Sequence, residues 1–377
     1  MSSWKLNMNV WVCNMESNSL FNYESFPNNP EKVSIRHNAQ ILSDDQKIQV
    51  DPTDKIPENV LFKVNCNKEE CLILPGKGLN IWANARFSNQ IEKTLELQEG
   101  DIFRLGAVQL RVKELNSQGC PETAKGIPEP KSGRSLGEES CRICLSTAFS
   151  DENPLVSPCS CTGSMKLIHV GCLQYWLSSK LKVTQRNFVC SYYWTSLNCE
   201  LCGEKVTLKH SLGGRIVDLT EVYKPDLPYM VVEDLRSDCQ GGYLVHVLTG
   251  NSNEEIKAGK GENSDLLVKD QSLSDHNSNI TFKNGRFYLK DNNSKFGSLL
   301  YVKKVLLHKG DSVLYQVKNC LVEAKFEEKS NCLASFFKAC CVSGSKKANQ
   351  EGNQLKSSEL SFEYEEMNLQ REVSEEL

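Results

Sequence analysis

Residues 141–202 read CRICLSTAFSDENPLVSPCSCTGSMKLIHVGCLQYWLSSKLKVTQRNFVCSYYWTSLNCELC. Eight of these residues are of the kinds that bind soft metal ions and stand at ligand spacing: Cys141, Cys144, Cys159, Cys161, His169, Cys172, Cys199 and Cys202. The gaps between them are 2, 14, 1, 7, 2, 26 and 2 residues. Thiolate and imidazole are the ligands zinc prefers, and four of them in a tetrahedron close one structural site. Eight such residues therefore make two sites. A segment this short cannot build a large core, so metal binding supplies much of its folding energy. Short gaps place two donors on one tight turn. Spacing leaves open whether the pairs combine sequentially or interleave.

The surrounding chain has 377 residues, room for two or three domains. Its net charge is −4, which argues against a nucleic-acid binder. It carries 17 cysteines, but the start (MSSWKLNMNV) lacks the apolar core of a signal peptide. A reducing compartment, cytoplasmic or nuclear, is therefore expected. Most of the cysteines outside the cluster read as small buried residues or inert surface thiols. No run reaches the roughly 20 apolar residues of a membrane-spanning helix, so a protein with no transmembrane segment, soluble or at most peripherally attached, is expected. Cys332, Cys340 and Cys341 lie beside Phe336, Phe337 and Lys338. That grouping reads as an amphipathic end packed on the preceding domain, with lipidation as the other reading.

Residues 116–138, rich in Gly, Pro, Ser and charge, read as a linker. Residues 343–377 hold eight acidic and four basic side chains and read as an acidic disordered tail. The flanks share a pattern. LQEGDIFRLGAVQLRV at 97–112 and LHKGDSVLYQVKNCLVE at 307–323 both place Leu-x-x-Gly-Asp at a turn before apolar runs suited to strands. A glycine-marked turn and another apolar run precede each. A repeated β unit about 200 residues apart is the reading. Helix should be scarce. The clearest follows Val170, where Leu173, Trp176 and Leu177 share one face.

Four cysteines, one histidine and three cysteines in these gaps resemble the RING-CH (RING-variant) finger of ubiquitin ligases. Three details carry the resemblance: one residue between Cys159 and Cys161, seven between Cys161 and His169, and the string PCSCTGSMKLIHVGCLQYWL. The PHD finger also places histidine fifth, and implies a histone reader instead. It usually has a tryptophan two residues before its seventh ligand, where this chain has Leu197. The RING-CH resemblance implies a cross-brace over 139–206. Cys141, Cys144, His169 and Cys172 would hold one zinc, and Cys159, Cys161, Cys199 and Cys202 the other. It further implies that Ile143, Pro158 and Trp176 contact a ubiquitin-conjugating enzyme. Cys190, in an enlarged loop before Cys199, reads as packing. Many active RING domains carry a basic residue just after the last cysteine, where this chain has Gly203 and Glu204 and reaches Lys205 one step later. RING-CH ligases often continue into transmembrane helices. No such continuation is expected of this chain.

Residues 220–330 resemble a forkhead-associated (FHA) domain, a β-sandwich that reads phosphothreonine. IKAGKGENSDLLVKDQSLSDHNSNI carries the likeness. The resemblance implies that Lys260 and Ser274 face the phosphate. Asp275 replaces a basic or polar residue, Asn277 a histidine and Phe296 an asparagine. Residues 1–115 resemble a more degenerate copy, whose serine position falls on Pro57. The expected architecture is mainly β and multidomain: an FHA-like sandwich, a two-zinc cross-brace RING-CH finger, and a second FHA-like sandwich. The expected function is a ubiquitin ligase with a conjugating enzyme and a protein substrate, phosphorylated or not, as partners. The alternative is a non-catalytic zinc adaptor built for protein contacts.

Overall fold

The opening strand shows the logic of the whole fold. In WKLNMNVWV, Trp4, Leu6, Met8 and Val10 are buried while the residues between them are only partly covered. Period-two burial of this kind is what a strand on the face of a sandwich needs. The computed structural model describes residues 4–12, 20–24, 29–44, 47–53, 59–86, 94–117, 134–135, 139–212, 215–220, 222–236, 242–252 and 254–328. Pro57, most of the linker, and the tail with Cys332, Cys340 and Cys341 lie outside these residues.

The N-terminal segment supplies strands β1 (Trp4–Val12), β2 (Glu31–Ile35), β3 (Ala39–Asp44), β4 (Lys47–Asp51), β5 (Val60–Cys66), β6 (Glu70–Pro75) and β7 (Ile81–Asn84). Then come β8 (Leu95–Leu97), β9 (Ile102–Leu105) and β10 (Val108–Asn116). The zinc module contributes helix α1 (Val170–Ser179) and a hairpin, β11 (Leu181–Arg186) and β12 (Val189–Trp194). A second hairpin follows, β13 (Lys209–Leu212) and β14 (Arg215–Asp218). The C-terminal segment supplies β15 (Tyr229–Asp234), β16 (Tyr243–Thr249), β17 (Glu255–Gly259), β18 (Leu266–Leu267), β19 (Ser278–Lys283), β20 (Arg286–Asp291) and β21 (Ser298–Val302). It ends with β22 (Val305–His308), β23 (Ser312–Val317) and β24 (Cys320–Glu328). The molecule is mainly β, as expected.

The repeat is present, but its two copies exchange their last three strands. One sheet runs β18-β17-β19-β20-β8, and the other β22-β6-β5-β3-β4. The N-terminal strand β8 therefore closes the C-terminal sheet (Phe287↔Leu97), while C-terminal β22 closes the N-terminal one (Val305↔Ile73). A long sheet, β11-β12-β16-β15-β10-β9-β21-β7-β23-β24-β1-β2, covers both. At its middle β21 pairs with β7, from Leu299↔Asn84 to Val302↔Ile81. Only Lys303 and Lys304 separate β21 from β22, so the chain passes directly into the other sandwich. The contiguous blocks 1–115 and 220–330 thus do not each close a sandwich alone.

Two cores result. The zinc-proximal core joins Phe103, Leu105, Val108 and Leu110 of the N-terminal segment to Met230, Ile256, Ile280, Phe287 and Leu289. The distal core joins Leu6, Ile41, Phe62 and Ile73 to Leu307, Tyr315, Val322 and Phe326. The two Leu-x-x-Gly-Asp turns adopt the same hydrogen bonding. Gly100 N–H donates to Val112 and Gly310 N–H to Phe326, and the Asp101 and Asp311 carboxylates accept from Gln98 N–H and His308 N–H, each at 2.8 Å. Both glycines sit at φ 85° and 91°, a region other residues rarely adopt.

One cysteine expectation is corrected. The β5–β6 register sets Cys66 opposite Cys71, and the two form a disulfide rather than standing as separate thiols.

Candidate metal centre and phosphate-facing loops

The eight candidate ligands gather into two groups in the interleaved pairing. Cys141, Cys144, His169 and Cys172 form one, and Cys159, Cys161, Cys199 and Cys202 the other, with donor atoms within 4.8 Å of one another in each. Turn geometry places them. Cys141 N–H donates to Ser146 and Leu145 N–H to Cys141, so the first pair sits on a tight knuckle. Gly203 N–H returns to Cys199, folding the last pair the same way. Helix α1 begins at Val170, between His169 and Cys172, with Leu173 and Leu177 buried beneath it.

The histidine is held in one tautomer. Its Nε2 lies 2.6 Å from the Ala148 carbonyl, which only accepts, so Nε2 carries the hydrogen. Nδ1 is left as a lone-pair donor, 3.2 Å from Cys144 Sγ and 4.0 Å from Cys172 Sγ. A metal-bound histidine is oriented by this kind of partner. Burial pushes the Cys141 thiol up, but the N–H groups of Cys144, His169 and Ile143 outweigh it and bring the pKa down to about 6. In the second group burial likewise opposes ionisation of Cys199, and Cys202 and Leu201 N–H groups bring it to about 6. Cys172 is pushed up to about 12, by desolvation and then by its hydrogen-bonded thiol neighbours Cys144 and Cys141. Thiols this close cannot all ionise without a compensating cation. The donor sets, closed and sulfur-rich, fit two structural zinc ions.

Arg142, which sequence reading did not single out, sits on the first knuckle and reaches the second group with its side chain. Its Nη2 lies 3.5 Å from Cys199 Sγ, and its Nη1 3.7 Å from Cys159 Sγ and 2.7 Å from the Met165 carbonyl. A cation between the first two ligands was the available signal.

The expected contact residues divide. Ile143 is 44% exposed. Trp176 is half-buried, with Lys180 Nζ 5.7 Å above its ring. Pro158 is buried and its carbonyl receives Thr207 N–H, so it supports the loop rather than presenting a surface. Leu145 and Leu201, on the two knuckles, are exposed and were not anticipated. Cys190 stands in β12, partly buried, apart from both donor groups. The enlarged loop is the β11–β12 hairpin. β12 pairs with β16 over six residues, Val189↔Leu248 to Trp194↔Tyr243. The finger also shares its core with that sheet: Ile168, Leu173, Leu177 and Val206 cluster with Trp194, Val231, Val245 and Val247.

In the zinc-proximal sandwich, Lys260 is exposed after β17 and its N–H donates to the Ser274 carbonyl at 3.1 Å. Ser274 Oγ accepts from Lys295 N–H at 3.2 Å, which adds Lys295 to the candidate residues. Its position just before Phe296 was the missed signal. Asn277 is fully buried where the resemblance expects histidine, and it ties Ser274 N–H to Ser298 Oγ. Gly259 is required here, because a Cβ would stand 2.2 Å from the Asp275 carbonyl. Phe296 is buried, and Tyr23 packs on Gly297.

Residues 141–202 match the RING-variant domain and residues 256–316 the FHA domain. The finger region is similar to the E3 ubiquitin-protein ligase MARCHF7 of Pongo abelii, 40% identical over 68 residues, 18% of this chain and 9% of that one. It is similar to MARCHF8 of Homo sapiens, 33% identical over 102 residues, 26% of this chain and 34% of that one. It is also similar to MARCHF6 of Homo sapiens, 37% identical over 91 residues, 24% and 7%. The chain thus spans at most about a third of these relatives. No solved structure matches. The chain therefore carries a RING-variant domain and an FHA domain. This kinship corrects the expectation of a soluble cytoplasmic or nuclear protein, because MARCHF ligases are typically membrane-associated. No helix among the described residues is long and apolar enough to cross a membrane.

Proposed function

We propose that this chain is a RING-type ubiquitin ligase. The observation that carries the reading is the interleaving of two closed four-donor groups within the segment similar to the MARCHF ligases. Cys141, Cys144, His169 and Cys172 hold one zinc, and Cys159, Cys161, Cys199 and Cys202 the other. Closed zinc sites supply structure rather than a reactive water. The finger presents exposed Ile143 and the half-buried indole of Trp176 to a ubiquitin-charged conjugating enzyme. Catalysis is by orientation of the thioester toward an incoming amine, with no covalent intermediate on this chain.

The FHA domain selects the protein partner. Lys260 and Ser274 face the phosphothreonine phosphate in this reading, the main-chain N–H of Lys295 holds the Ser274 hydroxyl, and charge-assisted hydrogen bonds supply the attraction. Two features weaken it: Lys260 offers a point charge rather than a guanidinium fork, and the exposed Asp275 carboxylate repels an anion.

Incubating the full chain with activating enzyme, a panel of conjugating enzymes, ubiquitin and ATP tests the ligase reading. Ubiquitin discharge that falls with Ile143→Ala and vanishes with Cys199→Ser is expected. No discharge above background across the panel would sink it. That outcome favours the adaptor reading, which the Gly203–Glu204 pair after the last ligand supports. Phosphothreonine peptides must also be tested on the full chain, since residues 220–330 lack β8, β9 and β10.

A further inference from the structure

The tip of the zinc module's hairpin reaches the loop that carries Lys260. Arg186 Nη1 donates to the Glu262 carbonyl at 2.7 Å and the Ser264 carbonyl at 3.4 Å. Asn187 Nδ2 donates to Asp265 Oδ1 at 2.6 Å, and the other oxygen of that carboxylate accepts Lys257 N–H at 2.9 Å. Thr249 N–H closes the tip by donating to Phe188. Asp265 is only 5% exposed and Ser264 4%, so two of the accepting residues are buried, while Asn187 and Glu262 lie at the surface. From them the loop is pinned inward: Ser264 Oγ and Gly261 N–H both reach the Asp275 carbonyl, and Lys260 N–H reaches Ser274.

We propose that Arg186 and Asn187 are positioning residues for the phosphate-facing loop of the FHA domain. Neither side chain touches the ligand. Arg186 holds two loop carbonyls, and Asn187 satisfies a buried carboxylate that otherwise lacks one partner. A buried carboxylate deprived of a donor is costly, and the loop moves to recover one. Order in the recognition loop is thus supplied by the zinc module. The same hairpin begins one residue after α1, the helix that carries Trp176. Support of the phosphate-facing loop and the conjugating-enzyme contact are therefore built on one continuous piece of chain. The inference rests on reading Lys260 and Ser274 as the phosphate-facing pair.

The test uses the full zinc-loaded chain and compares Arg186→Ala, Asn187→Ala and Arg186→Lys with Lys182→Ala, an exposed control on the same hairpin. Amide exchange over 259–265 should quicken about tenfold in both alanine variants, less in Arg186→Lys, and not in the control. Zinc content should stay at two ions per chain in all of them. Affinity for a phosphothreonine peptide bound by the unaltered chain should fall about tenfold in the alanine variants, with Lys260 and Ser274 intact. Unchanged loop exchange, or unchanged affinity despite looser exchange, overturns the proposal. If the unaltered chain binds no phosphothreonine peptide while loop exchange still quickens, the positioning stands and the phosphate reading falls.

Discussion

The zinc-proximal and distal sandwiches have the same strand order, the same glycine turn and the same exchanged closure, yet they end differently. In the distal sandwich the long sheet stops at β2. In the proximal one the equivalent strand, β16, continues into β12 and β11 of the zinc module. One copy is a closing piece of architecture. The other is a platform that shares a core with the finger and carries Lys260 and Ser274. A fold repeated within one chain need not repeat its function, because function lives in what loops and edges carry.

Zinc removal should break this comparison most sharply. Structural zinc is worth on the order of 10 kcal/mol to such a module. Chelation is expected to unfold the finger and to loosen β12, β15 and β16 through the shared core. Amides of β5, β6 and β24 should keep their protection. Equal loss in both sandwiches would show that the finger is not specific to one of them.

Paired core truncations come next. Phe103 and Phe326 are both fully buried, and Phe→Ala in such a site costs about 3–5 kcal/mol. Because of the exchange, Phe103→Ala should loosen β15–β20, in the C-terminal segment. Phe326→Ala should loosen β1–β6. Exchange mapping that followed sequence proximity instead would refute the strand swap. Cleavage within 118–133 should likewise leave both halves co-eluting.

A pH effect should belong to the proximal sandwich. His246 is buried, with Ser191 Oγ 2.8 Å from Nδ1, and burial holds its pKa down at about 4 against an ordinary value of 6.5. Between those values the unfolded chain binds a proton that the folded chain refuses. Stability therefore declines as pH falls from 6.5 towards 4, by up to about 3 kcal/mol, and is unaffected by this group above 6.5. Urea unfolding of His246→Gln should show a shallower acid slope than the unaltered chain. The smallest effect is expected from Asp275→Asn. Removing that exposed charge should strengthen phosphothreonine-peptide binding by about 0.5–1 kcal/mol, read by titration.

The donor set of the finger was legible because metal chemistry is written in residue type and short spacing. The interleaved pairing needed either the family resemblance or the fold. The repeated turn was legible because Gly100 and Gly310 mark a backbone conformation few residues tolerate. The burial of Pro158 was not legible, because its loop is tied to Thr207, nearly fifty residues on in sequence, and not to its own neighbours alone. Lys295 and Arg186 were missed because their contacts, with Ser274 and with Glu262 and Ser264, are made across loops distant in sequence.

By itself the sequence determined that this protein is a β-rich chain with two related halves around a two-metal finger. Alternation of apolar residues says that a strand has a face to bury. It does not say against which sheet. With two similar sandwiches available, only the tertiary structure decided that β8–β10 and β22–β24 trade places. It also decided that the loop before Cys199 becomes two strands of the neighbouring sheet. Backbone pairing and core contacts at long range, which no local pattern encodes, made both choices.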